Sequence, residues 1–319
     1  MTKFDENPSK SVNCPICDSL LKKKGSPIFI EDIFKNWSSL HQFSARTMRE
    51  HLLQSQSTEL HACPNCLLEI YLPAVIGTER FYRELQEDAQ FGYYRKDKWD
   101  FSRALKDVSA GDNIIEIGCG PGNFLYRAKP RVGRACGIEI NKTAVEAARS
   151  RGLEVFGPED GVELQASSFD AGFSFHVLEH VPDPLALLKK LNDLVKPEGK
   201  ICVSVPNQDG ILRYIDYAVM NMPPHHATRW HLRTLQVAAT KLDLKITKIA
   251  HEPLLLENHN YYSHYWLNKV FHDNKFFQRK IKVILSVLMK KFFKLLMRMG
   301  FKHFSLLRGQ AIYVVMKKK

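Results

Sequence analysis

From residue 112 onward the chain alternates short apolar runs with amphipathic stretches. Runs rich in Ile, Val and Phe predict strands over 113–118, 135–140, 153–156, 169–176, 199–205, 244–250 and 309–316. Between them, three- and four-residue apolar spacing predicts helices over 122–129, 141–151, 184–195 and 231–242. Asn141 and Asp183-Pro184 read as helix starts, and Pro197-Glu198-Gly199 as a stop before Ile201-Cys202-Val203-Ser204-Val205. Such alternation predicts an α/β fold with a doubly wound parallel sheet. Upstream, 78–108 reads as helical, with Phe81, Leu85, Phe91, Trp99, Phe101 and Leu105 among charges. Residues 1–75 lack a sustained pattern, apart from a helix expected over Ile30–Leu53. The expected organisation is therefore a module over 1–75, a helical linker and cofactor-cap segment over 76–110, and an α/β domain over 111–319.

The first strand of that domain ends in Glu116-Ile117-Gly118-Cys119-Gly120-Pro121-Gly122-Asn123. A buried strand running into a turn with glycine at every second position leaves bare backbone for a ligand to lie against. The spacing is G-x-G-x-G, not the dinucleotide G-x-G-x-x-G. The next strand ends in Gly137-Ile138-Glu139-Ile140-Asn141, which places an acid about 20 residues past the loop, suited to two ribose hydroxyls. The fourth strand runs into His176-Val177-Leu178-Glu179-His180, at the rim where open α/β sheets bind ligands.

With Leu194-Val195-Lys196-Pro197-Glu198-Gly199 added, these motifs resemble the class I S-adenosylmethionine-dependent methyltransferases between about Tyr93 and Val205. The resemblance implies a Rossmann-like seven-stranded sheet with its last strand antiparallel. It implies that Glu116, Gly118 and Gly120 hold the methionine portion of S-adenosylmethionine and Glu139 the ribose, with Cys119, Gly122, Asn123, Ile140 and His176 completing the cofactor site. Glu159 or Asp160 is the expected acid near the adenine.

After the fifth strand comes Asn221-Met222-Pro223-Pro224-His225-His226-Ala227-Thr228-Arg229-Trp230-His231. Lying beyond a strand's carboxyl end, it faces the cofactor. A neutral histidine suits removal of a proton from an attacking hydroxyl. His226 is the first candidate and His225 the second; His180 serves either as a base or to orient its loop. A metal held by His225, His226 and His231 is disfavoured because no carboxylate lies near them in sequence.

Of seven cysteines, four form two Cys-Pro-x-Cys knuckles, Cys14/Cys17 and Cys63/Cys66. Two such knuckles predict a structural four-cysteine zinc site in a reducing compartment. Cys119, Cys136 and Cys202 read as small buried residues. An N-terminal four-cysteine module ahead of this domain resembles bacterial methyltransferases associated with sugars and surface polysaccharides, where the module helps form the substrate pocket, and also certain ribosomal-RNA methyltransferases.

The net charge of +12 is unevenly spread. Residues 269–319 hold 14 of the 46 Lys and Arg but one of the 34 acids, leaving the first 268 residues with 32 bases and 33 acids. A near-neutral body argues against a nucleic-acid acceptor. The excess sits on an amphipathic helix predicted over 275–299, closed by Gly300, with Phe277, Ile281, Ile284, Leu285, Leu288, Phe292, Leu295, Leu296 and Met299 on one side and Lys275, Arg279, Lys282, Lys290, Lys294 and Arg298 on the other. Two coverings suit its apolar side: the protein's own body or another subunit, and an anionic membrane surface in whose plane the helix lies. The polar first residues lack a signal-peptide core and no run reaches about 18 apolar residues, so a cytoplasmic protein is expected, peripheral at most to the inner face of the membrane.

The sequence thus points to an S-adenosylmethionine-dependent O-methyltransferase acting on a sugar, glycan or other small molecule. RNA methylation and a non-catalytic, cofactor-binding scaffold are the alternatives.

Overall fold

The structure is a computed structural model and describes residues 12–215, 218–255, 267, 276–299 and 303–318. Short strands β1 (Lys22–Lys23) and β2 (Ile28–Phe29) lead into helices α1 (Ile30–Trp37) and α2 (Ala45–Leu52), then strands β3 (Ser57–Ala62) and β4 (Glu69–Leu72). The single helix expected over 30–53 is thus two. Residues 38–44 break it, and the Ser44 side chain accepts the Thr47 N–H to cap α2. The helical stretch expected over 78–108 is likewise two short helices, α3 (Glu79–Glu87) and α4 (Trp99–Ala104).

The α/β body contains β5 (Asn113–Ile117), α5 (Asn123–Ala128), β6 (Arg134–Ile138), α6 (Lys142–Ser150), β7 (Glu154–Phe156), β8 (Phe169–Phe175), α7 (Pro184–Leu194) and β9 (Val195–Pro206). It continues with β10 (Thr228–Arg229), α8 (Leu232–Lys241), β11 (Leu244–Leu255), a helix over Phe276–Arg298, and β12 (His303–Lys318). The caps read from sequence are present: Asn141 accepts from Thr143 and Ala144, and Asp183 from Ala186. The seven-stranded sheet has the order β11-β12-β9-β8-β5-β6-β7. Strand β12 runs antiparallel to β9 and β11, and the pairs from β9 through β7 are parallel. The last strand is therefore the antiparallel one. Beginning at His303, β12 is longer than the expected 309–316, and β11 runs on to Leu255.

Strand β5 pairs with β6 on one side and β8 on the other. The connections diverge there, which opens a crevice at the strands' carboxyl ends. Both faces of β5 are covered, so Ile114, Ile115 and Ile117 are all buried.

The N-terminal module is fused to this body. Its sheet, β1-β3-β4-β10, takes its last strand from the body, with Thr228 opposite Ile70 and Arg229 opposite Glu69. Thr234 of α8 donates its hydroxyl to the Cys66 carbonyl at 2.9 Å. One apolar core runs from Cys14, Ile16 and Leu68 through Trp230 and Leu235 to Leu188 and Ile201. A second joins Trp37, Phe81, Tyr82 and Met222. The segment after β9 is therefore held between module and sheet.

The helix Phe276–Arg298 lies between β11 and β12, as expected; Lys275 and Gly300 fall outside the described residues. Its stripe of Ile284, Leu288, Phe292 and Leu295, with Met299 just beyond, is exposed by more than half at each position. No helix among the described residues is long and apolar enough to cross a membrane.

Candidate active site

The glycine loop follows β5 at the crevice. Gly118, Gly120 and Gly122 have φ of 75°, 53° and 72°, left-handed values that disfavour side chains. Space is also short: a Cβ on Gly118 would lie 2.3 Å from Val177, and one on Gly120 2.7 Å from the Tyr94 ring. Cys119 is buried beneath the loop and Asn123, at the start of α5, accepts from Arg151 at 2.8 Å.

Glu139, at the end of β6, turns its carboxylate to this loop. It accepts from the N–H of Gly120 at 2.7 Å and of Ile140 and Asn141 at 2.8 Å each. Burial raises its pKa and the three amides pull the other way. The neighbouring Ile140 side chain is exposed. Glu116 is buried with its Oε2 unpartnered, and that burial pushes its pKa well up. An orphan acid oxygen, two bare glycines and a ribose-type acid fit the methionine and ribose portions of S-adenosylmethionine. Glu159 and Asp160, by contrast, pair with Lys142 and Arg149.

Across the crevice, the loop after β8 carries His176, Glu179 and His180. His176 takes a left-handed φ of 55° and its N–H bonds the Ser204 carbonyl at 2.8 Å. Its Nε2 lies 2.9 Å from Asp100 of α4, and its Nδ1 3.4 Å from Glu179. Burial opposes a charge on this ring, yet the two acids prevail and raise its pKa to about 9. Asp100 lies in the stretch expected as a helical linker and cofactor cap, and the sequence does not mark it as a partner of His176.

His225 and His226 pack against this loop, tied to it by Ala227 N–H to the Glu179 carbonyl at 2.8 Å. The rings of His225 and His226 stack at 4.4 Å, and that of His180 stands 4.7 and 4.8 Å from them. Each Nδ1 has an acceptor: the Met220 carbonyl for His225 at 2.8 Å, Asn221 Oδ1 for His226 at 3.0 Å, and the His225 carbonyl for His180. The Asn221 amide is itself oriented by donating to Gln208. Burial, reinforced by the neighbouring histidines, pushes the pKa of His225 and His226 well down, and burial lowers that of His180. The module contributes a wall, Trp37 of α1 meeting the His225 ring edge-on at 5.9 Å, and from the segment between α3 and α4 the Tyr93 hydroxyl lies 3.2 Å from His225 Nε2. His231 stands apart, paired with Asp209 at 2.7 Å. The carboxylate that seemed missing near the histidines is Glu179, whose Oε1 is 3.9 Å from both His180 and His226.

In the module, Cys14 Sγ lies 3.5 Å from Cys66 Sγ, and Cys17 Sγ 3.4 Å from Cys63 Sγ. All four are free thiols within 4.8 Å of one another.

The crevice and its glycine loop define a methyltransferase-type cofactor site, and comparison agrees: residues 89–249 match the methyltransferase-domain family, and the chain belongs to it. It is similar to a ubiquinone biosynthesis O-methyltransferase of Xanthomonas oryzae pv. oryzae (strain PXO99A), with 36% identity over 118 residues, covering 34% of this chain and 48% of that protein. The counterpart of Xanthomonas campestris pv. campestris (strain B100) is 36% identical over 114 residues, 33% and 47% of the two chains. The matched region spans about half the length of these relatives. Among solved structures, an S-adenosylmethionine-dependent methyltransferase from Archaeoglobus fulgidus is 18% identical, covering 75% of this chain and all of that one, with a TM-score of 0.49. One from Mesorhizobium loti is 15% identical, covering 70% and 100%, with a TM-score of 0.46.

Proposed function

We propose that this protein methylates an oxygen of a small-molecule acceptor, a sugar or glycan intermediate, using S-adenosylmethionine. The observation that carries the reading is that two groups lie on neighbouring loops: the glycine loop with Glu139, and the buried His180–His225–His226 group, brought together where Gly118 closely approaches Val177. S-adenosylmethionine supplies an electrophilic methyl group when bound. Glu116, Gly118 and Gly120 hold its methionine portion and Glu139 its ribose. Nδ1 of His226 donates to Asn221, which leaves Nε2 with a lone pair to orient an acceptor hydroxyl or take its proton. Tyr93, Tyr94 and Trp37 exclude water from the crevice. The name of the Xanthomonas relatives supports oxygen as the methylated atom.

The four-cysteine group holds a structural zinc ion in this reading. Four buried or half-buried thiols converge with no open ligand position, which fits a closed tetrahedral site. It positions β4, hence β10 and the histidine segment. The exposed apolar stripe of the helix Phe276–Arg298, with Lys290, Lys291, Lys294 and Arg298 also exposed, is proposed to rest on anionic lipid at the cytoplasmic face. The test of acceptor class is methyl-labelled S-adenosylmethionine with nucleotide sugars, lipid-linked sugars, catechols and RNA supplied separately. Label in a sugar fraction supports the reading; label in RNA alone overturns it.

A further inference from the structure

We infer that His180, His225 and His226, with Glu179, form a second metal site, one that takes a divalent transition ion such as Zn2+. Nδ1 of each histidine faces an oxygen that can only accept: a backbone carbonyl for His180 and His225, an amide oxygen for His226; the Tyr82 hydroxyl, 3.2 Å from His180 Nδ1, is a second and longer contact there. Each ring is therefore the Nδ1–H tautomer, with its lone pair on Nε2. Three rings packed at 4.4–4.8 Å cannot all be imidazolium without strong mutual repulsion. This fixing of one ring nitrogen by an oxygen is the arrangement that orients metal-ligating histidines.

Glu179 supplies the second, independent observation. It is fully buried, and neither carboxylate oxygen accepts a hydrogen bond. Its Oε1 lies 3.4 Å from His176 Nδ1, out of line for a hydrogen bond, and 3.9 Å from Nε2 of both His180 and His226. Two nitrogen lone pairs thus face a carboxylate with no proton between them. A cation placed there satisfies all three. Ligand atoms about 2.1 Å from a tetrahedral ion lie about 3.4 Å apart, so the 3.9 Å spacings to Glu179 would close by about 0.5 Å and the histidine spacings, up to 4.8 Å, by as much as about 1.4 Å. The ligand atoms of the three histidines all lie within 4.8 Å of one another. His225 is the most committed, since its Nε2 is 3.2 Å from the Tyr93 hydroxyl. Imidazoles with one carboxylate suit zinc and neighbouring first-row ions rather than Mg2+ or Ca2+.

The site deepens the proposed methyl transfer and rests on it only in placing the acceptor oxygen on the ion. With the ion bound, His226 serves as a ligand in place of its role as base, and the acceptor's proton passes to the unpartnered Oε2 of Glu179.

The test loads the full chain with Co2+, removes free ion, and reads metal content by mass spectrometry together with the visible spectrum. His226→Gln and Glu179→Gln are each expected to lose one metal equivalent from the wild-type content. The thiolate-to-cobalt band of the four-cysteine site should persist in both, which also reports that the module is folded. Unchanged metal content in both variants overturns the inference. Calorimetry with S-adenosylmethionine separates the two claims. Wild-type protein that binds the cofactor but loses no metal on substitution refutes the second site alone. Protein that shows the metal loss but never binds the cofactor refutes the methyltransferase reading alone.

Discussion

Glu139 accepts the backbone N–H of Gly120 at 2.7 Å, so the acid that ends one strand holds the middle glycine of the loop that ends its neighbour. Loop and acid form one unit. Glu139→Gln keeps the size but removes the charge and one acceptor. It is expected to weaken S-adenosylmethionine binding by roughly tenfold or more, as for loss of a charged hydrogen bond. Calorimetric titration measures this; an unchanged affinity would remove Glu139 from the cofactor site.

The module and α3 are linked through Glu84. Its carboxylate accepts from the Ser44 and Thr47 hydroxyls at 2.6 Å each and from the Ser44 N–H at 2.9 Å. Burial acts to raise its pKa, but these donors outweigh it and the pKa is lowered. A depressed carboxylate contributes stability above its unfolded pKa, and that stability is lost as pH falls through the folded value. Thermal melts from pH 7 down to 3 should therefore lose the stability this group contributes. Glu84→Gln should start lower at pH 7 and show a shallower acid slope. Identical slopes in the two proteins would contradict the assignment.

Metal removal should act on the acceptor side first. Because β4 pairs with β10 and Thr234 bonds the Cys66 carbonyl, a loosened four-cysteine site frees the His225–His226 segment. Cys63→Ser is expected to lower the melting temperature and reduce turnover at least tenfold, while cofactor affinity changes less than about threefold. Equal loss of both would place the module in the cofactor site instead.

The exposed stripe of the helix Phe276–Arg298 predicts salt-sensitive binding to vesicles. Flotation with phosphatidylserine-containing vesicles should carry the protein, and Leu288→Glu with Phe292→Glu should abolish this. Equal flotation with purely zwitterionic vesicles would contradict the electrostatic part.

What the sequence made legible follows from range. The glycine loop, Glu139 at a strand end and the alternation of strands and helices rest on patterns within about 30 residues, and these match the structure; the antiparallel last strand was implied by the family resemblance. The break at 38–44 was also signalled locally, by Ser44 three residues before Thr47, but the apolar spacing over 30–53 obscured it. His180, His225 and His226 were each legible as site candidates, but their packing with Glu179 was not, because the loop after β8 and the segment before β10 meet only in the fold. Nor was Asp100 beside His176, or Trp37 against His225, since both contacts join distant segments.

Calorimetric titration of S-adenosylmethionine into the wild-type chain and into Gly120→Arg tests the central claim most directly. An added side chain at Gly120 meets the Tyr94 ring and a left-handed backbone, so it closes the loop to the cofactor. The account predicts one-to-one binding by the wild-type protein and none by the variant, both folded by circular dichroism. Absence of binding by the folded wild-type protein, or equal binding by both, would contradict it.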